Sequence, residues 1–217
     1  MRKAFSTLLI VLGLAMILGA VAQVTSNLQE EKRAGELSHA ALESLVAVIP
    51  SELPDNAWQN PEIYEDIAED EIEYPDYILN PDMEMPETIV DEIAYIGILE
   101  IPALNLKLPI ASQWSLSTAK TAPCRYYGSV YQNNIVLAGH NYQKHFGKLT
   151  ALPIGTQIQF TDMDGNRFLY ETIECETIQA TDIEGMCNGN WDMTLFTCTI
   201  GGYARSAIRC SKLELIS

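Results

Sequence analysis

The sequence predicts an all-β domain, either a barrel or a sandwich, behind an apolar N-terminal helix. Two observations lead to this prediction. Short alternating or apolar runs separated by turn residues recur from Ile93 onward, and regularly spaced short strands are typical of all-β folds. Ahead of them, residues 5–24 form an apolar run without a charged residue. At about 1.5 Å per helical residue, that run is long enough to cross a hydrocarbon core of roughly 30 Å.

The apolar run is interpreted as a transmembrane anchor over residues 1–25. Arg2 and Lys3 precede it, and positive flanking residues stay on the cytoplasmic side. The chain is therefore expected to cross the cell membrane once, with its N-terminus in the cytoplasm and its remainder outside. Small residues around Gly19 and Ala20 leave a cleaved signal peptide as the alternative. The anchor is favoured because the run is longer than the apolar segment of a typical signal peptide.

Residues 26–50 are predicted to form a membrane-proximal helix. Apolar side chains recur at a spacing close to 3.6 residues between Asn27 and Ile49, and charged side chains largely occupy the other faces. Pro50 is expected to end the helix. Two interpretations remain open, which are a spacer or oligomerising helix and an amphipathic helix packed on the domain.

Residues 51–92 are expected to be an acidic, proline-rich linker or a lid. They contain 15 Asp and Glu residues and no Lys or Arg, a composition that disfavours a packed core. Asp55-Asn56-Ala57-Trp58 is the segment that could place an aromatic side chain on the domain as a lid. Most of the net charge of −16 lies in this segment. The acidic balance excludes a nucleic-acid partner, because phosphate contacts require clustered Lys and Arg.

The folded domain that follows, and with it any catalytic site, is assigned to residues 93–217. Its strongest local signal is a hairpin, with strands at Thr156–Thr161 and Arg167–Ile173 around an Asp164-Gly165 turn. Single helical turns are expected at Ser115–Ala119 and Lys144–Leu149. The other predicted strands are Ile96–Pro102, Leu104–Ile110, Ile135–Ala138, Met193–Thr197 and Ala204–Leu215.

The chemistry is expected at the ends of three of these strands. Cys198 follows a β-type run, and the odd count of five cysteines leaves at least one thiol without an intramolecular partner. His140 follows an apolar strand, where an imidazole can exchange a proton with a thiol. Arg205 and Arg209 share one face of the last strand, and a guanidinium can hold a developing oxyanion. Arg205 is preferred because it lies closer to Cys198. His145 is expected to be a solvated loop residue.

These residues resemble the motifs of one enzyme family, the sortases. Thr194-Leu195-Phe196-Thr197-Cys198, with an arginine opening the next strand, is similar to the sortase Thr-Leu-x-Thr-Cys signature. Leu137-Ala138-Gly139-His140 resembles the histidine motif of that family, and the two strands from Ile96 to Ile110 resemble its opening strands. The resemblance covers roughly residues 93–215.

The resemblance implies a closed eight-stranded β-barrel with short helices, and a cysteine transpeptidase on the surface of a Gram-positive bacterium. Cys198 would be the nucleophile and His140 the general acid/base. Arg205 would hold the oxyanion and the sorting signal, with help from Thr197. Protein substrates would carry a C-terminal Leu-Pro-x-Thr-Gly-like sorting signal, and the acceptor would be an amine of a cell-wall precursor or a pilin. No cofactor and no metal site is predicted. The alternatives are a surface cysteine peptidase and an anchored, non-catalytic binding module.

Overall fold

The computed structural model describes residues 2–50 and 75–213. The proposed lid segment at Asp55–Trp58 lies outside the described residues, as does most of the acidic segment. Within the described ranges the chain forms three helices and nine strands. The helices are α1 (Arg2–Val46), α2 (Asp76–Leu79) and α3 (Ile183–Cys187). The strands are β1 (Thr88–Val90), β2 (Ile93–Ile101), β3 (Leu106–Ala111), β4 (Cys124–Tyr127), β5 (Ile135–Ala138), β6 (Gln157–Asp162), β7 (Arg167–Gln179), β8 (Met193–Cys198) and β9 (Ala204–Lys212).

Eight of the strands close into a barrel, as the sequence predicted. The order in the sheet is β1-β2-β3-β4-β5-β8-β9-β7-β6, and β6 pairs back onto β2. The short strand β1 lies outside the closed circuit as an edge strand on β2. Closure gives each of the eight barrel strands a hydrogen-bonding neighbour on both sides, so that no barrel edge is left open.

The barrel interior is filled by the apolar side chains that alternate along the strands. The largest cluster draws buried residues from all of β2, β3, β5, β6, β7, β8 and β9, with Phe146 and Leu149 closing it at one end. Tyr170 and Phe160 are fully buried at its centre. Because successive side chains of a strand point to opposite faces, the residues between these core positions face outward.

Helix α1 is one continuous helix where the sequence suggested an anchor followed by a second helix. The change of composition near residue 25 does not interrupt it, because helical backbone hydrogen bonds are the same in apolar and polar stretches. It ends at Val46, before Pro50. Among the described residues it is the one helix long and apolar enough to cross a membrane.

The C-terminal half of α1 packs against the barrel. Its contact stripe consists mainly of small residues, Ala34, Ser38 and Ala41, followed by Leu45, all at most 4% exposed. Leu37, which the sequence pattern placed in the apolar stripe, stays 41% exposed. Small side chains let the helix axis approach the barrel closely, and this explains why they occupy the buried face.

The hairpin forms as predicted, with β6 and β7 paired antiparallel around the Asp164-Gly165 turn. The side chain of Asp162 organises the turn, because it accepts hydrogen bonds from the backbone of Asp164 and Asn166 and from the hydroxyl of Tyr131. Strand β7 continues to Gln179, well past the predicted end at Ile173, since its second half pairs with β9.

Candidate active site

Two strand pairings bring the predicted site residues together at one end of the barrel. Strands β5 and β8 run parallel, with Ala138 opposite Phe196, and the backbone N–H of Gly139 donates to the carbonyl of Phe196 at 3.1 Å. Parallel strands end at the same edge, so His140 follows β5 beside the place where Cys198 ends β8. The antiparallel pairing of β8 with β9 sets Arg205 directly opposite Cys198.

Cys198 differs from the other cysteines in its surroundings. All five cysteines are free thiols. Burial raises the pKa of Cys124 to about 12 and also raises the pKa of Cys210, so these two stay protonated and unreactive. Cys198 is partly exposed and lines a cavity. Its neighbour Thr197 points the other way, is 2% exposed and is absent from the lining of that cavity.

His140 stands half-buried at the mouth of the same cavity. Its ring stacks on Tyr142, with 4.9 Å between centroids and 26° between planes. Its buried Nε2 has no hydrogen-bond partner among the described residues. Burial, together with the nearby charge of Lys120, lowers the pKa of His140, and the carboxylate of Glu30 partly opposes this. The imidazole is therefore mainly neutral near pH 7, the form that accepts a proton.

The loop that carries His140 (residues 139–148, called the histidine loop) is held by contacts with the barrel core beneath it and with α1 beside it. A Cβ on Gly139 would lie 2.7 Å from the Phe146 ring, so only glycine allows this approach. The N–H of Phe146 donates to the carbonyl of His140 at 3.0 Å, and Phe146 itself is fully buried in the barrel core. From the side, the carboxylate of Glu31 on α1 accepts a hydrogen bond of 2.7 Å from the N–H of Gln143.

The expectation that His145 is a solvated loop residue is wrong. Its side chain is fully buried where the loop meets α1, and neither ring nitrogen has a hydrogen bond of ordinary geometry among the described residues. Burial, with a smaller effect from His140, lowers the pKa of His145 to about 4. His145 is therefore a neutral packing residue at physiological pH and does not itself line the cavity.

The two arginines of β9 have different surroundings although they share a strand face. Arg209 is fully buried, and its guanidinium binds the carboxylate of Glu176 at 2.7 Å. It also donates to the hydroxyl of Thr194 and to the carbonyls of Gly185 and Met186. Its guanidinium further lies 4.0 Å from the centroid of the Trp191 ring. These contacts fasten α3 to the barrel and leave Arg209 no free donor for a ligand.

Arg205, in contrast, borders the cavity. Its Nη1 donates to the carbonyls of Gly202 and Ala204, each at 3.1 Å. Gly202 belongs to the β8–β9 turn and Ala204 opens β9. In the turn, Gly201 and Gly202 have positive φ angles of 88° and 77° that favour glycine. The two hydrogen bonds hold the guanidinium at the cavity that Cys198 also lines.

The cavity itself is mainly apolar and has a volume of about 410 Å³. The sequence did not single out the residues that give it this character, which come from the β3–β4 connection, β4, α3 and β8. Phe196 could have been found from its period of two with Cys198, because both lie on the outer face of β8. The apolar lining includes Trp114, Leu116, Tyr126, Ile183, Met186 and Phe196.

Comparison with known proteins yields one family. A sortase domain family model matches residues 99–212, more than half of the chain. Sortase C1 from Streptococcus agalactiae has a TM-score of 0.55 at 18% identity, covering 82% of this chain and 99% of that one. A sortase D5 transpeptidase from Clostridium perfringens has a TM-score of 0.50 at 21% identity, covering 55% and 79%.

A second Clostridium perfringens structure, sortase C with the C-terminal cell wall sorting motif, has a TM-score of 0.50 at 18% identity and covers 75% of this chain and 92% of that one. At these identities the likeness establishes the fold. No curated protein sequence matches the chain.

Proposed function

The chain belongs to the sortase family, a family of cysteine transpeptidases, and we propose that Cys198 is its nucleophile, with His140 as general acid/base and Arg205 as oxyanion stabiliser. The observation that carries this proposal is the meeting of these three side chains at one cavity mouth. Arg209, the alternative cation, has its donors engaged by Glu176 and α3.

In the first half-reaction, the sulfur of Cys198 attacks the carbonyl carbon of the threonine in a sorting signal. His140, neutral because burial lowers its pKa, takes the thiol proton. Arg205 stabilises the negative charge that develops on the carbonyl oxygen. The C–N bond then breaks, His140 returns the proton to the leaving amine, and a thioester remains on Cys198.

In the second half-reaction, an acceptor amine attacks the thioester carbonyl. The C–S bond breaks, the acyl group leaves as an amide, and the proton lost by the amine returns to the Cys198 sulfur through His140. A thioester conserves acyl-transfer energy, which lets an amine replace water as acceptor. Thr197 takes part through its backbone, because its side chain points away from the cavity.

The proposed donor is a protein with a Leu-Pro-x-Thr-Gly-like C-terminal signal, and the proposed acceptor is an amine of a cell-wall precursor or a pilin. Support for an apolar peptide comes from the cavity, which Trp114, Leu116 and Ile183 line beside Cys198. Its volume of about 410 Å³ suits a few apolar side chains rather than a large ligand. A structural relative, sortase C from Clostridium perfringens, was solved with the C-terminal cell wall sorting motif.

The exposed apolar part of α1 is the proposed single membrane anchor, with the N-terminus cytoplasmic and the barrel outside the cell. Residues 9–24 of the helix are exposed throughout and contain no charged side chain. Arg2 and Lys3 precede them, in keeping with the positive-inside rule.

The test uses the full chain in detergent micelles with a Leu-Pro-x-Thr-Gly peptide and an amine acceptor. Cys198→Ala is expected to abolish both cleavage and transfer, and Cys175→Ala, which removes an exposed thiol on β7, is expected to leave both intact. Mass spectrometry should find the acyl adduct on Cys198. Turnover by Cys198→Ala would overturn the proposal, and cleavage without an amide product at saturating amine would instead indicate a peptidase.

A further inference from the structure

Helix α1 leaves the barrel at the end that carries the active site. Its last contacts on the N-terminal side are with the histidine loop, where Glu31 binds the N–H of Gln143 and Gly35 approaches Lys144. Toward its C-terminus the helix descends along the barrel wall, until Pro50 meets the Gly165 turn between β6 and β7. The apolar, exposed part of α1 therefore projects beyond the active-site end.

The length of helix between the apolar run and the histidine loop is short. Glu31 lies seven helical steps after Val24, which at 1.5 Å per step is about 10 Å. The polar layer of one bilayer leaflet is roughly 5–8 Å thick, half of the difference between the full bilayer and its hydrocarbon core. With residues 5–24 in the hydrocarbon, Glu31 and the active-site end of the barrel lie at the outer edge of the lipid headgroup layer.

The barrel presents exposed apolar side chains at this same end. Ile200 is 97% exposed and Tyr203 is 89% exposed in the β8–β9 turn, and neither lines the cavity. Leu116 and Ile183 are 72% and 61% exposed on the other connections at this end. Single exposed apolar residues are ordinary, but these four surround the cleft on the side toward which α1 projects.

We propose that the active-site end of the barrel docks on the outer surface of the membrane, with Ile200 and Tyr203 inserted into the lipid interface. An isoleucine and a tyrosine on an exposed turn suit that zone, because an aromatic ring with a hydroxyl is amphipathic. The cleft then opens along the membrane surface, where a substrate reaches Cys198 while still attached to lipid or to its own apolar segment. This inference rests on the proposed anchoring by α1.

The test is photocrosslinking of the full chain in phosphatidylcholine vesicles. The photoreactive p-benzoylphenylalanine replaces Ile200 or Tyr203 in turn, and phospholipid adducts are quantified by mass spectrometry. Ile89 is the matched control, because it is 73% exposed on β1, which lies beside the C-terminal end of α1 and away from the active site. Leu12, in the apolar run of α1, is the positive control for anchoring.

Several-fold more lipid adduct at Ile200 and Tyr203 than at Ile89 is the expected result. Adduct at Leu12 with none at the turn overturns the docking proposal and leaves the anchor intact. No adduct at Leu12 overturns both. Crosslinking of Tyr203 to a sorting peptide rather than to lipid also overturns it, since the turn would then be a substrate surface.

A kinetic comparison separates docking from catalysis. Ile200→Ser with Tyr203→Ser is expected to lower several-fold the transfer rate for a substrate held in the vesicles by an apolar helix. The same double variant is expected to process a soluble peptide at the wild-type rate. Equal rates on the membrane-held substrate would overturn the docking proposal. Activity on the soluble peptide tests the proposed function on its own.

Discussion

Arg209→Ala is expected to lower stability and Arg205→Ala to lower catalysis, although the two residues lie on one strand face. Arg209→Ala leaves the Glu176 carboxylate, the Thr194 hydroxyl and two carbonyls of α3 without their cation. Breaking a buried ion pair from one side costs about 3–5 kcal/mol. At roughly 2–4 °C per kcal/mol for a domain of this size, the expected fall in Tm is about 6–20 °C.

Arg205→Ala should barely change stability, because its hydrogen bonds among the described residues go to the carbonyls of Gly202 and Ala204, which are close to it in sequence. Substitutions of this kind usually alter the free energy of unfolding by about 0.5 kcal/mol or less. Its expected effect is on catalysis, where losing one donor to the oxyanion lowers kcat by roughly 10²–10³.

The assay measures unfolding and turnover on the same samples. Near-UV circular dichroism follows the melting of the full chain in micelles, and transfer of a sorting peptide to an amine gives kcat at 25 °C, where both variants are folded. A stable Arg209→Ala protein, with a Tm within 2 °C of the wild type (below the roughly 2–4 °C that 1 kcal/mol produces), would refute the reasoning. So would an Arg205→Ala protein that keeps full activity.

Three further predictions concern the histidine loop. Lys120→Gln should raise the pKa of the proposed base and Glu30→Gln should lower it, so the acidic limbs of their kcat/KM profiles should move in opposite directions; two unmoved limbs would contradict the assignment. Burial lowers the pKa of His145 to about 4, whereas an unfolded histidine takes up its proton near pH 6.5. The free energy of unfolding therefore falls as the pH drops from 6.5 toward 4, by about 3 kcal/mol in total, because the unfolded chain binds this proton first. His145→Leu should remove this part of the acid sensitivity in urea unfolding. Glu31→Ala should lower kcat with little change in KM or Tm, whereas the exposed control Glu36→Ala should change none of them.

The all-β class and the strand-end position of the candidate site residues were predictable because they depend on local patterns, whereas the closed barrel followed from the family resemblance. A period of two marks most of the strands, and the thiol, imidazole and guanidinium all follow recognisable β runs. Strand β4 was missed because Cys124–Tyr127 is short and has only one fully buried residue. Helix α3 was missed because its five residues have one buried side chain, Met186.

Contacts between distant parts of the chain could not be predicted from the same patterns. His145 is buried only because α1 covers its loop, and α1 lies more than a hundred residues earlier in the sequence. The preference for Arg205 over Arg209 rested on proximity to Cys198 alone. The structure supplies the physical reason, since Glu176 and the carbonyls of α3 engage Arg209. Neither partner is adjacent to it in sequence.

The parallel pairing of β5 with β8 has a consequence for the order of events during folding. Between β5 and β8 the chain forms β6, β7 and α3. His140 and Cys198 become neighbours only when β8 returns to pair with β5. Pairings between distant segments form late, because the loop between them must close first. Until these strands pair, Cys198 therefore has no base beside it. The proposed role of Arg205 adds a requirement for β9. Turnover in the proposed reaction therefore reports that the barrel has finished folding.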